Sequence, residues 1–244
     1  MRRFIISIIV FCKSFLLFLR PHVLFGWLIK PLKTWSNILS VSKWISQQDI
    51  SQLFFNDFYS PKRDLAKRYL VYESVKSNLN LASEGINYLE FGVCGANSFK
   101  WWLRQNTHGD SKFYGFDTFE GLPEDWATFS KGEMSANIPD VNDARATFLK
   151  GLFQDTLPGF LKENKLSESK RNIIHLDADL FSSTLYVLTS LHPYLKKGDI
   201  ILFDEFNVPN HEFLAFKMYC DSYYIKPKLI AAANNYFEVA FIIA

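Results

Sequence analysis

From Ser60 onward, short apolar runs alternate with segments whose apolar residues recur at helical spacing. The runs INYLEF (86–91), KFYGF (112–116), ATFLKG (146–151), IIHLD (173–177) and DIILF (199–203) are of strand length and mostly apolar. That is the pattern of strands covered on both faces. Helical patterns occupy 97–105, LPGFLKEN (157–164), 182–195 and about 209–223. Ahead of the first strand, Leu65, Tyr69, Tyr72, Val75 and Leu79 form one stripe. Ser60-Pro61 supplies a cap and a first-turn proline, which predicts a helix beginning there. Two terminal runs, KLIAAA (228–233) and FEVAFII (237–243), flank Asn234-Asn235, a hairpin-type turn that makes the last strand antiparallel. The order strand, helix, strand predicts an α/β fold with a largely parallel sheet and helices on both faces.

The first 48 residues break this pattern. They hold seven of the 27 basic residues and none of the 25 acids, although the whole chain of 244 residues carries only +2. Phe4 to Leu19 is the most apolar stretch, followed by Arg20, Pro21 and VLFGWLI. Met1-Arg2-Arg3 would suit a signal peptide, but no small-x-small site closes the run. A spanning helix needs about 20 apolar residues, and Lys13 interrupts this shorter run. An interfacial element over residues 4–29, its bases toward anionic headgroups, fits better; packing on its own domain or a dimer partner is the other reading. Three stretches follow: an apolar basic segment at 1–33, a linker and helical lead-in at 34–60, and one domain at 61–244.

With 48% hydrophobic and 21% charged residues the body is an ordinary globular chain. Near-neutral charge excludes a nucleic-acid binder, which needs a basic face. Cys12, Cys94 and Cys220 lie far apart with no CxxC pair. They build neither a disulfide framework nor a zinc site, and a reducing, cytoplasmic setting follows.

Ligands of open α/β sheets sit beyond the carboxyl ends of the strands. After the first strand comes EFGVCGANS (90–98), whose glycines let backbone approach a ligand; it is not the GxGxxG dinucleotide fingerprint, which disfavours a nicotinamide oxidoreductase. Asp117 ends the second strand, where a carboxylate can take both hydroxyls of a ribose or, alternatively, brace its own turn. Thr118 to Pro139, with Trp126 and Met134, is too long for a plain connector and predicts a lid. HLDADLFSST and LFDEFN bring Asp177, Asp179, Asp204 and Glu205 to one rim. Crowded carboxylates need a shared cation or proton, and an all-oxygen set selects Mg²⁺, Mn²⁺ or Ca²⁺. Asp179, Asp204 and Glu205 are the candidate metal ligands; helix capping and pairing with lysine are the other uses of these acids. His175 and the Trp101-Trp102 pair read as core.

EFGVCGANSF, YGFDTFEGLPEDW, KGLFQDTLPGFL and HLDADLFSSTLYVLTSLHPYLKKGDIILFDEF together resemble the macrocin O-methyltransferase family of class I S-adenosylmethionine-dependent methyltransferases. The resemblance runs from about Tyr88 to Phe206. It implies a Rossmann-like seven-strand sheet with a reversed last strand, and methyl transfer to a sugar hydroxyl. Glu90, Gly92, Gly95 and Ser98 would hold the methionine part of S-adenosylmethionine, Asp117 the ribose, and Phe153 and Gln154 would lie by the adenine. Mg²⁺ would sit on Asp179, Asp204 and Glu205, although the family favours Asp-Asp where this chain has Asp204-Glu205. Asp179 is the expected general base and His211 the alternative. The expected partner is a small hydroxyl-bearing acceptor, a saccharide. A non-catalytic cofactor-binding module is the competing reading, and a homo-oligomer is compatible with either.

Overall fold

The computed structural model describes residues 1–244 except 127, 165 and 167–169. Three helices open the chain: α1 (Arg2–Phe18), α2 (His22–Phe25) and α3 (Ile29–Ser46). The body follows as β1 (Phe55–Asn56), α4 (Arg68–Asn78), β2 (Ile86–Phe91), α5 (Asn97–Gln105), β3 (Lys112–Asp117), β4 (Ala146–Lys150) and α6 (Phe153–Glu163). It continues with β5 (Arg171–Leu176), α7 (Phe181–Leu191), β6 (Ile200–Phe203), α8 (Glu212–Tyr223), β7 (Lys228–Ala233) and β8 (Glu238–Ile242).

The strands form one sheet in the order β1-β7-β8-β6-β5-β2-β3-β4. β8 pairs antiparallel with both neighbours, and every other pairing is parallel. The expected Rossmann-like architecture with a reversed last strand is therefore present. It gains an eighth strand, β1, whose two residues pair with Ala231 and Ala232 and are too few to leave a periodic signal. Asn234 and Asn235, both at positive φ, make the turn between β7 and β8.

Strand alternation divides the interior into two layers. Leu89 and Phe91 of β2, Ile174 and Leu176 of β5, and Ile201 and Phe203 of β6 point to the face covered by α3, α6, α7 and α8. Ile86, Tyr88, Ile173, Ile200 and Leu202 point to the face covered by α4 and α5, where Trp102 is fully buried. Period-two alternation with both faces buried is why these strands are apolar at nearly every position.

Some helix starts depart from expectation. Ser60-Pro61 begins no helix; Asp64 accepts from the Ala66 amide and caps a short 3₁₀ turn at 65–67 that runs into α4. Leu65, on the expected stripe, is exposed in consequence. The 182–195 helix tightens at its end into a 3₁₀ turn at His192–Tyr194, and the 209–223 helix begins only at Glu212.

α3 joins the head to the body. Trp44 contacts Phe206, Phe213, Tyr236 and Phe241 at ring separations of 5.0–6.1 Å, and Val41 is buried beside it. α1 and α2 bury nothing. No single helix among the described residues is long and apolar enough to cross a membrane.

Docking of α3 thus depends on one indole. Trp44→Ala is expected to cost about 3 kcal/mol, the order for removing a packed aromatic. Leu39→Ala, on the exposed side of the same helix, should stay within about 0.5 kcal/mol. Urea unfolding of the full chain with both variants checks the contrast.

Candidate active site

β2 ends against the turn that leads out of β5. The Asp177 amide donates to the Phe91 carbonyl at 2.9 Å, and the Gly92 amide to the Phe116 carbonyl at 2.9 Å. Gly92 has φ +93°, and a Cβ there would lie 1.8 Å from the Asp177 carbonyl oxygen. Only glycine fits at this crossing. The chain then turns through Cys94 and Ala96, both at positive φ, into α5.

Beyond these strand ends opens a cavity of about 530 Å³, a volume typical of small-molecule sites. Glu90, Gly92, Gly95, Ser98, Asp117, Phe153, Gln154, Asp179, Asp204 and Glu205 all line it. His211 does not. It lies half-buried behind the wall, its ring 6.3 Å from Trp126 and its Nδ1 without a hydrogen-bond partner. Burial holds its pKa below the usual histidine value.

Asp117 is already engaged. Its Oδ2 accepts from the Val93 and Cys94 amides at 2.8 Å each, and its Oδ1 from the Phe119 amide at 2.7 Å. It braces both turns of the pocket floor, and the second lone pair of Oδ1 remains for a hydroxyl. The segment after it folds over the cavity: Leu122, Pro123, Glu124 and Met134 line the wall, and Ser182 donates to Glu124 at 3.3 Å. Trp126 is buried against Leu122 and Leu180.

The acidic rim forms as the strand ends predict, with a protein cation inside it. Arg68 from α4 pairs with Asp204 Oδ2 at 2.8 Å, and the Tyr72 hydroxyl donates to Asp204 Oδ1 at 3.3 Å. Arg63 reaches Glu205 at 4.0 Å. The remaining acids are poorly compensated. Burial and the neighbouring Asp204 raise Asp179 to about 7; burial and Asp179 raise Glu205 to about 8. Burial also pushes Asp177 and Glu212 well above the ordinary carboxylate range. Glu212 Oε2 accepts from the Glu205 amide at 3.0 Å, whereas Glu212 Oε1 and Glu205 Oε2 have no partner.

These residues do not fit the expected magnesium centre. Asp204 is held by Arg68 and Tyr72, and among the described residues no group of three or more His, Cys, Asp or Glu is arranged to hold a metal ion. A guanidinium supplies positive charge where the motif suggested a divalent cation.

Behind the rim runs a buried polar chain. Tyr88 donates to Glu90, and its oxygen lies 2.7 Å from His175 Nδ1. His175 Nε2 lies 3.2 Å from the Tyr72 hydroxyl, which contacts Ser98 and Asp204. Since Tyr88 gives its proton to Glu90, Nδ1 of His175 is the donor to the Tyr88 oxygen. The chain ties Glu90, on the glycine-turn side, to Asp204 on the acidic side. Arg68, Tyr72, Tyr88 and Glu212 escape a motif reading, because a tyrosine on a helical stripe or within an apolar strand reads as core, and charges on a helix read as solvated face.

The comparisons with known proteins agree with the geometry. The family described as Macrocin-O-methyltransferase (TylF) matches residues 130–235. The 8-demethyl-8-(2,3-dimethoxy-alpha-L-rhamnosyl)-tetracenomycin-C 4'-O-methyltransferase of Streptomyces olivaceus is 28% identical over 123 residues, 41% of this chain and 45% of that protein. The chain is matched over less than half that relative's length. Calicheamicin methyltransferase CalS11 superposes with a TM-score of 0.56 at 20% identity, covering 85% of this chain and 91% of that one. The O-methyltransferase NovP gives 0.53 at 20% identity, covering 74% and 79%. At such identity the two structures speak for the fold. The resemblance to macrocin O-methyltransferases drawn from the motifs holds.

Two outcomes follow for the rim. Asp179 and Glu205 bind protons more tightly folded than unfolded, so their contribution is favourable at low pH and lost as pH rises toward 7–8. Between pH 5.5 and 8.5 the Tm should fall by about 5 °C, the order for about 2 kcal/mol in a chain of this size. The Asp179→Asn, Glu205→Gln double variant should flatten that slope. Separately, Mg²⁺ at constant ionic strength should leave the wild-type Tm unchanged; a specific rise would restore the three-carboxylate centre.

Proposed function

We propose, from the macrocin O-methyltransferase likeness of residues 130–235, that this chain is an S-adenosylmethionine-dependent O-methyltransferase acting on a hydroxyl of a sugar or glycosylated small molecule. One observation carries the reading. The residues that match the family's motifs, scattered from Glu90 to Glu205, line one cavity at the strand ends, with a carboxylate of pKa about 7 on its wall. The rhamnosyl acceptor in the relative's name supports the sugar. Three free thiols suit a reducing, cytoplasmic setting.

The donor, when bound, supplies a sulfonium methyl that needs no further activation. What remains for the protein is alignment and one proton. The turn of Gly92, Gly95 and Ser98 would receive the methionine end, with Glu90 held in place by Tyr88. The free lone pair of Asp117 would take a ribose hydroxyl, and Phe153 and Gln154 would flank the adenine. The segment carrying Leu122 and Glu124 would close over the acceptor and exclude water.

Asp179 is the residue that would take the acceptor's proton. A general base is most effective with a pKa near working pH, and Asp179, at about 7, both lines the cavity and remains half in its basic form near neutrality. His211 is the weaker candidate, since it stands outside the lining. Because Arg68 holds Asp204, no step is routed through Mg²⁺.

Calorimetric titration with S-adenosylmethionine tests the reading. Wild-type protein should bind it, and Asp117→Ala should weaken binding by at least about tenfold, or about 1.4 kcal/mol, while the protein remains folded. Asp179→Asn should bind the donor as well as wild type does yet fail to transfer methyl to any acceptor wild type methylates. No donor binding by wild type would overturn the assignment.

A further inference from the structure

We propose that α1, α2 and the start of α3 lie in the surface of an anionic bilayer and hold the mouth of the cavity against it, so that the acceptor is an amphiphile whose hydroxyl-bearing head is presented from the membrane. The choice of acceptor rests on the methyltransferase reading; the anchor does not.

The first observation is the distribution of side chains around α1. Phe4, Ile8, Phe11, Phe15 and Phe18 recur at helical spacing and form one stripe. Arg2 and Lys13 fall on the opposite side of the cylinder at 100° per residue, with Arg3 at its edge, and they share that side with Ile6, Ile9 and Leu17. The apolar stripe is bare: Phe4 is 69% exposed, Phe11 70% and Phe18 80%, and Trp27 beyond it 74%. A continuous apolar surface of this kind marks an interaction site. An exposed helix apolar around most of its circumference, with bases at its start and middle and no acid, suits an anionic apolar interface rather than water.

Charge selects the occupant. Residues 1–48 carry seven bases and no acid. A second copy of the segment would set like charge against like, whereas anionic headgroups complement it. The geometry argues against a span: α1 meets the helical stretch from His22 to Ser46 at 61°, and its 17 residues reach only about 25 Å.

The second observation is where the stem of this anchor meets the body. Asn37 Nδ2 donates to Asn210 Oδ1 at 2.8 Å, and Asn210 Nδ2 donates to Thr34 Oγ1 at 2.8 Å. Asn210 belongs to the segment between Glu205, on the cavity wall, and α8. Its neighbour His211 faces Trp126 of the covering segment and has Lys33 as an electrostatic neighbour. The stem is therefore clasped to the acceptor side of the cavity, beside the Glu124 and Glu205 wall.

Flotation of the full chain with vesicles of phosphatidylcholine alone, or mixed with phosphatidylglycerol, tests the anchor. Binding should require the anionic lipid, weaken with salt and be lost in Phe11→Glu, Phe15→Glu. That variant touches no buried residue and should keep its Tm and its affinity for S-adenosylmethionine. Failure of the wild type to float with either composition would overturn the anchor. So would light scattering that shows a dimer dissolved by the same variant, without vesicle binding. Hydrogen exchange on bound vesicles tests the orientation: protection should extend from residues 1–40 to 205–212 and 120–134. Protection confined to the first 30 residues would detach the cavity from the membrane and with it the membrane-borne acceptor. Donor binding is measured in the same samples, so failure of the methyltransferase reading and failure of the anchor are separately visible.

Discussion

Negative charge gathered at the carboxyl ends of β5 and β6 is the constraint around which the body is arranged. Asp177, Asp179, Asp204, Glu205 and Glu212 stand within one another's electrostatic reach, with Asp204 and Glu212 buried and the others half-buried. Such a group is tolerated only with a cation or with shared protons. Both devices are used. Arg68 neutralises Asp204 at 2.8 Å, and the others hold their protons to unusually high pH. α4 must pack at the height that delivers Arg68 and Tyr72 to Asp204, which explains why a helix outside the matched family region is integral to the site.

The same constraint links the two halves of the cavity. From Asp204 the contacts run through Tyr72, His175 and Tyr88 to Glu90. A buried polar network is worth keeping only when its members are satisfied, and this one spans the inner strands β2 and β5. Substitution of any member would therefore be felt at both the glycine turn and the acidic rim. The positions of Ser98, at the start of α5, and Asp204, just past β6, are set together rather than by their own elements alone.

Much of this was legible from residue order. A sheet buried on both faces forces apolar runs, so the strands declare themselves; Gly92 was readable because a strand-to-helix turn at a ligand site needs close backbone approach. The acids at the ends of β5 and β6 were readable because position after a strand fixes which rim a residue joins. What escaped depended on partners distant in sequence. Arg68 looks like any cation on a helix until Asp204 comes to meet it. Asp117 was legible as a brace of its own turn, which its bond from the Phe119 amide is, but not as the partner of the Val93 and Cys94 amides across the pocket floor. β1 is two residues long, and its pairing with β7 is a purely tertiary fact.

The head shows the opposite case, in which a strong sequence signal has a divided structural meaning. Its hydrophobicity serves the protein's own core only around Val41, Trp44 and Ile45, while α1 and α2 bury nothing. If the whole segment served packing, burial would continue toward the N-terminus; instead it stops where α3 leaves the body. Among the described residues the last hydrogen-bonded tether before the bare surface is the Thr34, Asn210, Asn37 clasp. A polar clasp at that boundary fixes direction without adding apolar contact. Direction is what the proposed anchor requires, because a membrane would restrict its acceptor to one plane and a mouth facing away from that plane would never meet it.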